Sequence, residues 1–192
     1  MTASQEDYPI TPFATAAEFE TWLVAHSNQP GVWIKLAKKS SGIQSITYAE
    51  ALDIALCYGW IDGLKRSLDD MYFLQKFTPR RPKGTWSKRN VGKIAELIAA
   101  GRMQPSGLAE VEAAKRDGRW DAAYDSPKDM VVPEDFLQAV AKNKKAQEFY
   151  ATLNKTSTYA IAFRLVTAKK PATRQRHFDA LLEMLEQGKK LH

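Results

Sequence analysis

Apolar positions along the chain change period from helical to alternating and back, and this change predicts the elements. Phe19, Trp22 and Leu23 share one face of a helix that opens at Thr15-Ala-Ala-Glu18, a capping-box pattern. Asn28-Gln29-Pro30-Gly31 stops it. From Val32 the period drops to two: Val32, Ile34 and Leu36 face one way, Trp33 and Lys35 the other, which predicts a strand ending at Ser40-Ser41-Gly42. Thr47-Tyr48-Ala49-Glu50 repeats the capping-box pattern. It precedes a helix with Tyr48, Leu52, Ala55 and Leu56 on one side, closed by Gly59. Trp60 to Ser67 and Met71 to Phe77 read as two strands of an antiparallel hairpin turned at Leu68-Asp69-Asp70.

Residues 78–84 hold Pro79 and Pro82 and are expected to be irregular, because each proline lacks an N–H and restricts its predecessor. Ser87 is the expected N-cap of a helix with Val91, Ile94, Ala95 and Ile98 on one face, ended by Gly101. A short helix follows over about 106–115, and residues 125–129 read as a linker. Beyond Pro133 the apolar spacing is helical throughout. Its stripes are Phe136/Leu137/Val140, Phe149/Tyr150/Leu153, Tyr159/Ala162/Phe163/Val166 and Phe178/Leu181/Leu182/Leu185. They read as a bundle core rather than a cofactor box, with Thr173 as the N-cap of the last helix. Residues 1–12 form a loose polar lead-in. The predicted class is α+β: a small antiparallel sheet packed with helices over 13–125, then a helical module over 130–190.

Charge adds to this picture. The net +6 is unevenly spread, and residues 1–60 are acidic overall. Between Asp70 and Glu96 stand seven basic residues and no acidic one, interleaved with Phe73, Phe77 and Trp86. Such a field draws nucleotides, nucleic acid or acidic headgroups, or is simply a solvated basic surface. Cys57 is the single cysteine, so no internal disulfide forms, and its place on an apolar helix face predicts a buried thiol. His26, His177 and His192 have no paired ligand spacing, so neither a metal nor a cofactor is expected. No apolar run approaches the roughly 20 residues of a membrane span. The opening residues lack a signal-peptide pattern, which sets the expectation of a cytoplasmic protein.

The candidate site follows from the same stretch. Phe77-Thr78-Pro79-Arg80-Arg81-Pro82 presents two guanidinium forks on a proline-stiffened loop, suited to bidentate capture of phosphate or carboxylate. A helix N-terminus at Ser87 would add N–H donors, with Asn90 in its first turn. Trp60 and Trp86 could stack on a base or sugar. Asp62, between Gly59-Trp60-Ile61 and Gly63, is either an acid/base group or the partner of Arg80 or Arg81. The candidate ligand-binding set is therefore Trp60, Asp62, Arg80, Arg81, Trp86, Ser87 and Asn90. A second basic cluster, residues 169–176, reads as a solvated face unless it joins the first.

Several of these segments resemble one family. Tyr48-x-Glu50-Ala51, Ala55 through Gly63, Phe77 through Arg81, Trp86-Ser87-x-x-Asn90, Gly101-Arg102-Met103 and the tail Ala168-Lys169-Lys170-x-x-Thr173-Arg174 are similar to the YdeI/OmpD-associated family. The resemblance runs from about Phe19 to Gly188. It implies a link to bacteriocin or cationic-peptide protection and to association with an outer-membrane porin, without an established reaction. Three functions follow as expectations. The first is a cytoplasmic, non-catalytic protein that binds a small anionic ligand and is tied to stress or antimicrobial-peptide resistance. The second is an enzyme on a phosphorylated or nucleotide-like substrate with Asp62 as acid/base. The third is a nucleic-acid-binding protein, which requires both basic clusters on one open face.

Overall fold

A computed structural model describes residues 8–126 and 129–189. The chain divides into two units, residues 1–86 with 90–122 and residues 87–89 with 123–192. The fold is α+β, with a mixed four-stranded sheet in the first unit and a helical C-terminal region. Of the expected features, His192, residues 1–7 of the lead-in and residues 127–128 of the linker lie outside the described residues.

The first unit runs β1 (Ile10–Pro12), α1 (Ala16–Ala25), β2 (Val32–Ala37), α2 (Tyr48–Cys57), β3 (Trp60–Ser67), β4 (Tyr72–Pro79), α3 (Lys88–Ala99, from Asn90 onward) and α4 (Pro105–Arg116). Sheet order is β1-β2-β4-β3. The hairpin is antiparallel, and so is the β2–β4 pair. β1 adds a parallel edge, so the end of the supposed lead-in is a strand and the sheet is mixed. β4 also runs through Thr78-Pro79, which the prolines were expected to forbid. Pro79 sits at the last ladder position opposite Trp60, where no further N–H is required, and the Arg80 N–H then donates to the Gly59 carbonyl at 3.0 Å.

The sheet's two faces differ. Val32, Ile34, Leu36 and Phe77 lie on the helix side, where Phe19 meets Phe77 at 5.9 Å and Trp22 meets Trp60 at 6.2 Å. Of the two expected capping boxes the second is complete, while at the first the Glu18 side chain accepts from the Ala14 N–H in place of the Thr15 N–H. Thr15 accepts from the Glu18 N–H and Thr47 from the Glu50 N–H, while Glu50 reaches back to the Thr47 N–H. α2 buries Ala51, Leu52, Ile54, Ala55, Leu56 and Cys57, more than the single stripe expected, because it is the central helix of the unit. α4 closes on its C-terminal end: Gln104 N–H donates to the Cys57 carbonyl and the Ser106 hydroxyl to the Tyr58 carbonyl. These are the orphan carbonyls every helix end leaves. On α3 the buried positions are Asn90, Ile94 and Leu97, while Ala95 and Ile98 are exposed. The face is rotated from the expected one because it includes a polar residue that hydropathy does not score.

The second unit holds α5 (Glu134–Lys142), α6 (Lys144–Tyr150), α7 (Lys155–Val166) and α8 (Pro171–Glu186). Phe136, Val140, Ala146, Ile161, Ala162, Leu165, Leu181 and Leu185 are buried together, with Phe149, Tyr150, Leu153 and Phe178 packed on them. On α7 the core takes Ile161 and Leu165, and Val166 is exposed. Asn143 and Asn154 cap α6 and α7 with side-chain oxygens. α8 begins at Pro171, two residues before the expected N-cap Thr173, because proline is pre-shaped for a first helical turn. From the second basic cluster, Arg174 is paired with Asp135 at 2.8 Å, tying α8 to α5. No helix among the described residues is long and apolar enough to cross a membrane.

Candidate functional site

The period of β4 aims alternate side chains to one side, so Lys76 and Thr78 share a face. Beyond the strand, Arg81 and Gly84 bracket a tight turn in which the Gly84 N–H donates to the Arg81 carbonyl at 2.9 Å. Pro82 holds its second position. Lys83 holds the third at φ +63°, the left-handed conformation that a type II turn demands and glycine normally supplies. That placement costs a lysine roughly 1–2 kcal/mol. A buried arginine offsets it: Arg119, 7% exposed, donates from Nη1 to the Gly84 carbonyl at 3.1 Å while its Nε lies 2.7 Å from Asp117. A Cβ at Gly84 would be crowded, standing 3.0 Å from the Arg81 carbonyl oxygen.

Strand and turn enclose a cleft of about 360 Å³. Its cations are Lys76, Arg80 and Arg81, its hydroxyls Thr78 and Thr85, and its apolar wall Ile61 and Leu64; among the described residues no carboxylate lines it. Arg80 is fixed by stacking, with Cζ 3.4 Å from the centre of the Trp86 ring. Trp86 is 1% exposed and packs against Trp120 at 5.1 Å. Its indole N–H has no acceptor among the described residues. The indole therefore serves as a platform beneath Arg80.

Of the residues singled out from sequence, Arg80 and Arg81 meet in this cleft. Trp60 is buried on the helix side, where it lines a separate cleft of about 220 Å³ with Tyr58, Arg80, Ser106 and Glu110. Asp62 lies on the Phe77 side of the sheet and accepts the Tyr48 hydroxyl at 2.8 Å; it does not line the cationic cleft. Ser87 pairs with Tyr124 as an isolated bridge within the second unit. Asn90 is 7% exposed, in the buried face of α3. The residues not foreseen are Lys76, Thr78, Thr85 and Arg119. Lys76 and Thr78 were legible as alternate strand positions leading to Arg80, but a β4 thought to stop at Phe77 hid the continuity. Nothing local marks Arg119, which reaches Gly84 across 35 residues of chain.

Titration shifts lie away from the cleft. Burial pushes the Cys57 thiol up. Burial first, then the hydrogen bond to Glu20, raises the Tyr58 phenol. Hydrogen bonds from the Thr47 backbone and side chain lower Glu50.

Residues 11–110 match the model of a domain of unknown function (DUF8412). Residues 129–188 match that of the bacteriocin-protection, YdeI or OmpD-associated family. No curated protein and no solved structure matches the chain. The cleft therefore falls within the first match, and the basic cluster at the start of α8 within the second. On these matches the chain belongs to the DUF8412 family over its N-terminal half and carries a C-terminal domain of the bacteriocin-protection, YdeI or OmpD-associated family.

Proposed function

We propose that the N-terminal unit is a non-catalytic anion-binding module, serving the bacteriocin-protection role that the description of the C-terminal family names. One observation carries the reading: Lys76, Arg80 and Arg81 converge on a cleft that, among the described residues, no carboxylate lines. Guanidinium forks take phosphate or carboxylate oxygens in pairs, and threonine hydroxyls add neutral donors. The turn is braced by Arg119 and Arg80 is stacked on Trp86, so little ordering remains for the ligand to impose. Asp62 supports binding over chemistry, since its carboxylate is engaged with Tyr48 on the other side of the sheet.

The test is thermal shift against phosphate, pyrophosphate, sulfate and nucleoside phosphates. A ligand at about 100 times its Kd adds roughly 2.7 kcal/mol to the folded state. Pyrophosphate is expected to raise Tm in the native protein. Arg80→Ala with Arg81→Ala abolishes that rise. The reading fails if the folded double variant keeps the full shift.

A further inference from the structure

The face of the sheet opposite the helices is built unlike a solvated surface. Strand register puts Trp33 and Lys35 of β2, Tyr72, Leu74 and Lys76 of β4, and Arg66 of β3 on that side. Arg66 is there because of a β-bulge. Pairing shifts between Asp62 and Lys65, so two residues of β3 oppose one of β4. Without it, Arg66 would share the Asp62 side by simple alternation. With it, Lys35 and Arg66 flank Leu74 from its two neighbouring strands.

Each cation on this face lies over a ring. Lys35 sits 3.9 Å from the centre of Tyr72, Arg66 4.6 Å from Trp33 and Lys76 4.4 Å from Tyr8. Such pairs occur about once per 70–80 residues in proteins generally. Three gather on this face, and Lys65 over Phe73 at 4.2 Å makes a further one on the other. The register brings no carboxylate to the face; Asp62 is on the other side, and Asp69 caps the hairpin turn through the Met71 and Tyr72 N–H groups. At its β3–β4 end the face runs into the cationic cleft, because Lys76, Thr78 and Ile61 belong to both.

We infer that this face, without the second basic cluster that a nucleic-acid role was expected to require, binds single-stranded nucleic acid, with the Lys76–Arg80–Arg81 cleft holding one of its phosphates. The inference rests on the reading of the cleft as an anion site. Unpaired bases stack on aromatic rings and on guanidinium planes, and cations beside them neutralise the backbone. A duplex hides the base faces that the aromatic pairs would hold. Trp33 is buried beneath Arg66, so the stacking surface offered to a base is the outer plane of the exposed Arg66 guanidinium, with the half-buried Tyr72 and Tyr8 beside it; an acidic peptide meets the charge but brings no planar group to that surface. Four strands at about 4.8 Å spacing make a surface of a few nucleotides, the scale on which sheet-based readers work.

The experiment uses the full chain and a labelled oligodeoxythymidine of roughly ten nucleotides, within the site sizes of such platforms. Anisotropy is followed between about 50 and 200 mM salt. Lys35→Gln with Arg66→Gln removes two face cations that do not line the cleft; each single variant is measured as well, beside its far-ultraviolet spectrum. Native protein is expected to bind the oligonucleotide well above an equal-length duplex or polyglutamate. In the double variant affinity falls at least about tenfold, and the slope of log K against log salt shrinks by about 1.4, since each single-strand phosphate contact contributes about 0.7. Its pyrophosphate thermal shift stays native. The inference is overturned if folded single and double variants bind the oligonucleotide like native protein, or if duplex or polyglutamate binds as well. Should native protein ignore pyrophosphate yet bind the oligonucleotide in a Lys35- and Arg66-dependent way, the cleft reading fails and the face stands.

Discussion

Gly107→Ala tests the packing that sets the first unit's helices. Gly107 lies in the first turn of α4 and is buried against the end of α2. A Cβ there would stand 2.1 Å from the Cys57 carbonyl oxygen, 2.8 Å from its carbon and 2.9 Å from the Leu56 oxygen, all backbone atoms. No rotamer change relieves such a clash, so α4 must withdraw by about 1 Å to restore ordinary contact. That motion stretches the bond from the Gln104 N–H, now 3.1 Å, and the Ser106–Tyr58 bond, now 3.0 Å. Each is worth about 0.5–1.5 kcal/mol. Overpacking adds roughly 1–3 kcal/mol, and the helix preference of alanine over glycine returns about 0.5–1. Net destabilisation of about 2–4 kcal/mol follows, a Tm drop on the order of 10 °C for a unit of roughly 120 residues. The assay is urea unfolding followed by tryptophan emission, which reports this unit alone because Trp22, Trp33, Trp60, Trp86 and Trp120 all belong to it. Gly92→Ala is the control, for Gly92 is exposed in α3 with open space where its Cβ would go. It is expected to stabilise by about 0.5–1 kcal/mol. Equal effects of the two substitutions would refute the argument.

Cys57, 2% exposed, is expected to resist alkylation at pH 8 in the native state and to react fully in denaturant; rapid native modification would contradict its burial. Its thiol is raised in the fold, so the stability it contributes is complete below the unfolded thiol range of about 8.5 and declines as pH rises through the folded value. Cys57→Ala should therefore flatten the alkaline limb of a stability–pH curve, leaving only what Tyr58, Tyr150 and Tyr159, raised in the same direction, contribute. Thr47→Ala should cost about 1 kcal/mol at pH 7 through the lost cap. Because Glu50 is lowered, its part of that contribution is present above its unfolded value near 4.3 and vanishes as pH falls through the folded one. The gap between wild type and variant should thus narrow in acid by the part due to the Thr47 hydroxyl bond to Glu50 and keep the part due to the Thr47 cap on the Glu50 N–H, which urea titrations at two pH values measure.

Local information sufficed for much of the fold. Thr15 and Thr47 marked helix starts because a cap needs only residues three apart. Alternation over 32–37 marked a strand because successive side chains of a strand point to opposite faces. The four C-terminal stripes located a bundle core, although on α7 a one-position rotation exchanged Val166 for Leu165, a difference that hydropathy alone cannot register. The charge run likewise pointed to Arg80 and Arg81. What the chain's own order could not supply was which atoms meet across it. The parallel docking of β1, the closeness of Gly107 to Cys57 and the brace from Arg119 to Gly84 are all long-range. The same holds for Asp62, where an acid between two glycines beside an arginine loop invited an ion pair or a reaction. Strand period sent its carboxylate to Tyr48, on the opposite side of the sheet from Lys76 and Thr78. The sequence by itself determined where cations and helix starts lie, since composition and capping are local. Only the tertiary structure decided which face each side chain occupies, because register, a bulge and close backbone contact depend on partners far away in the chain.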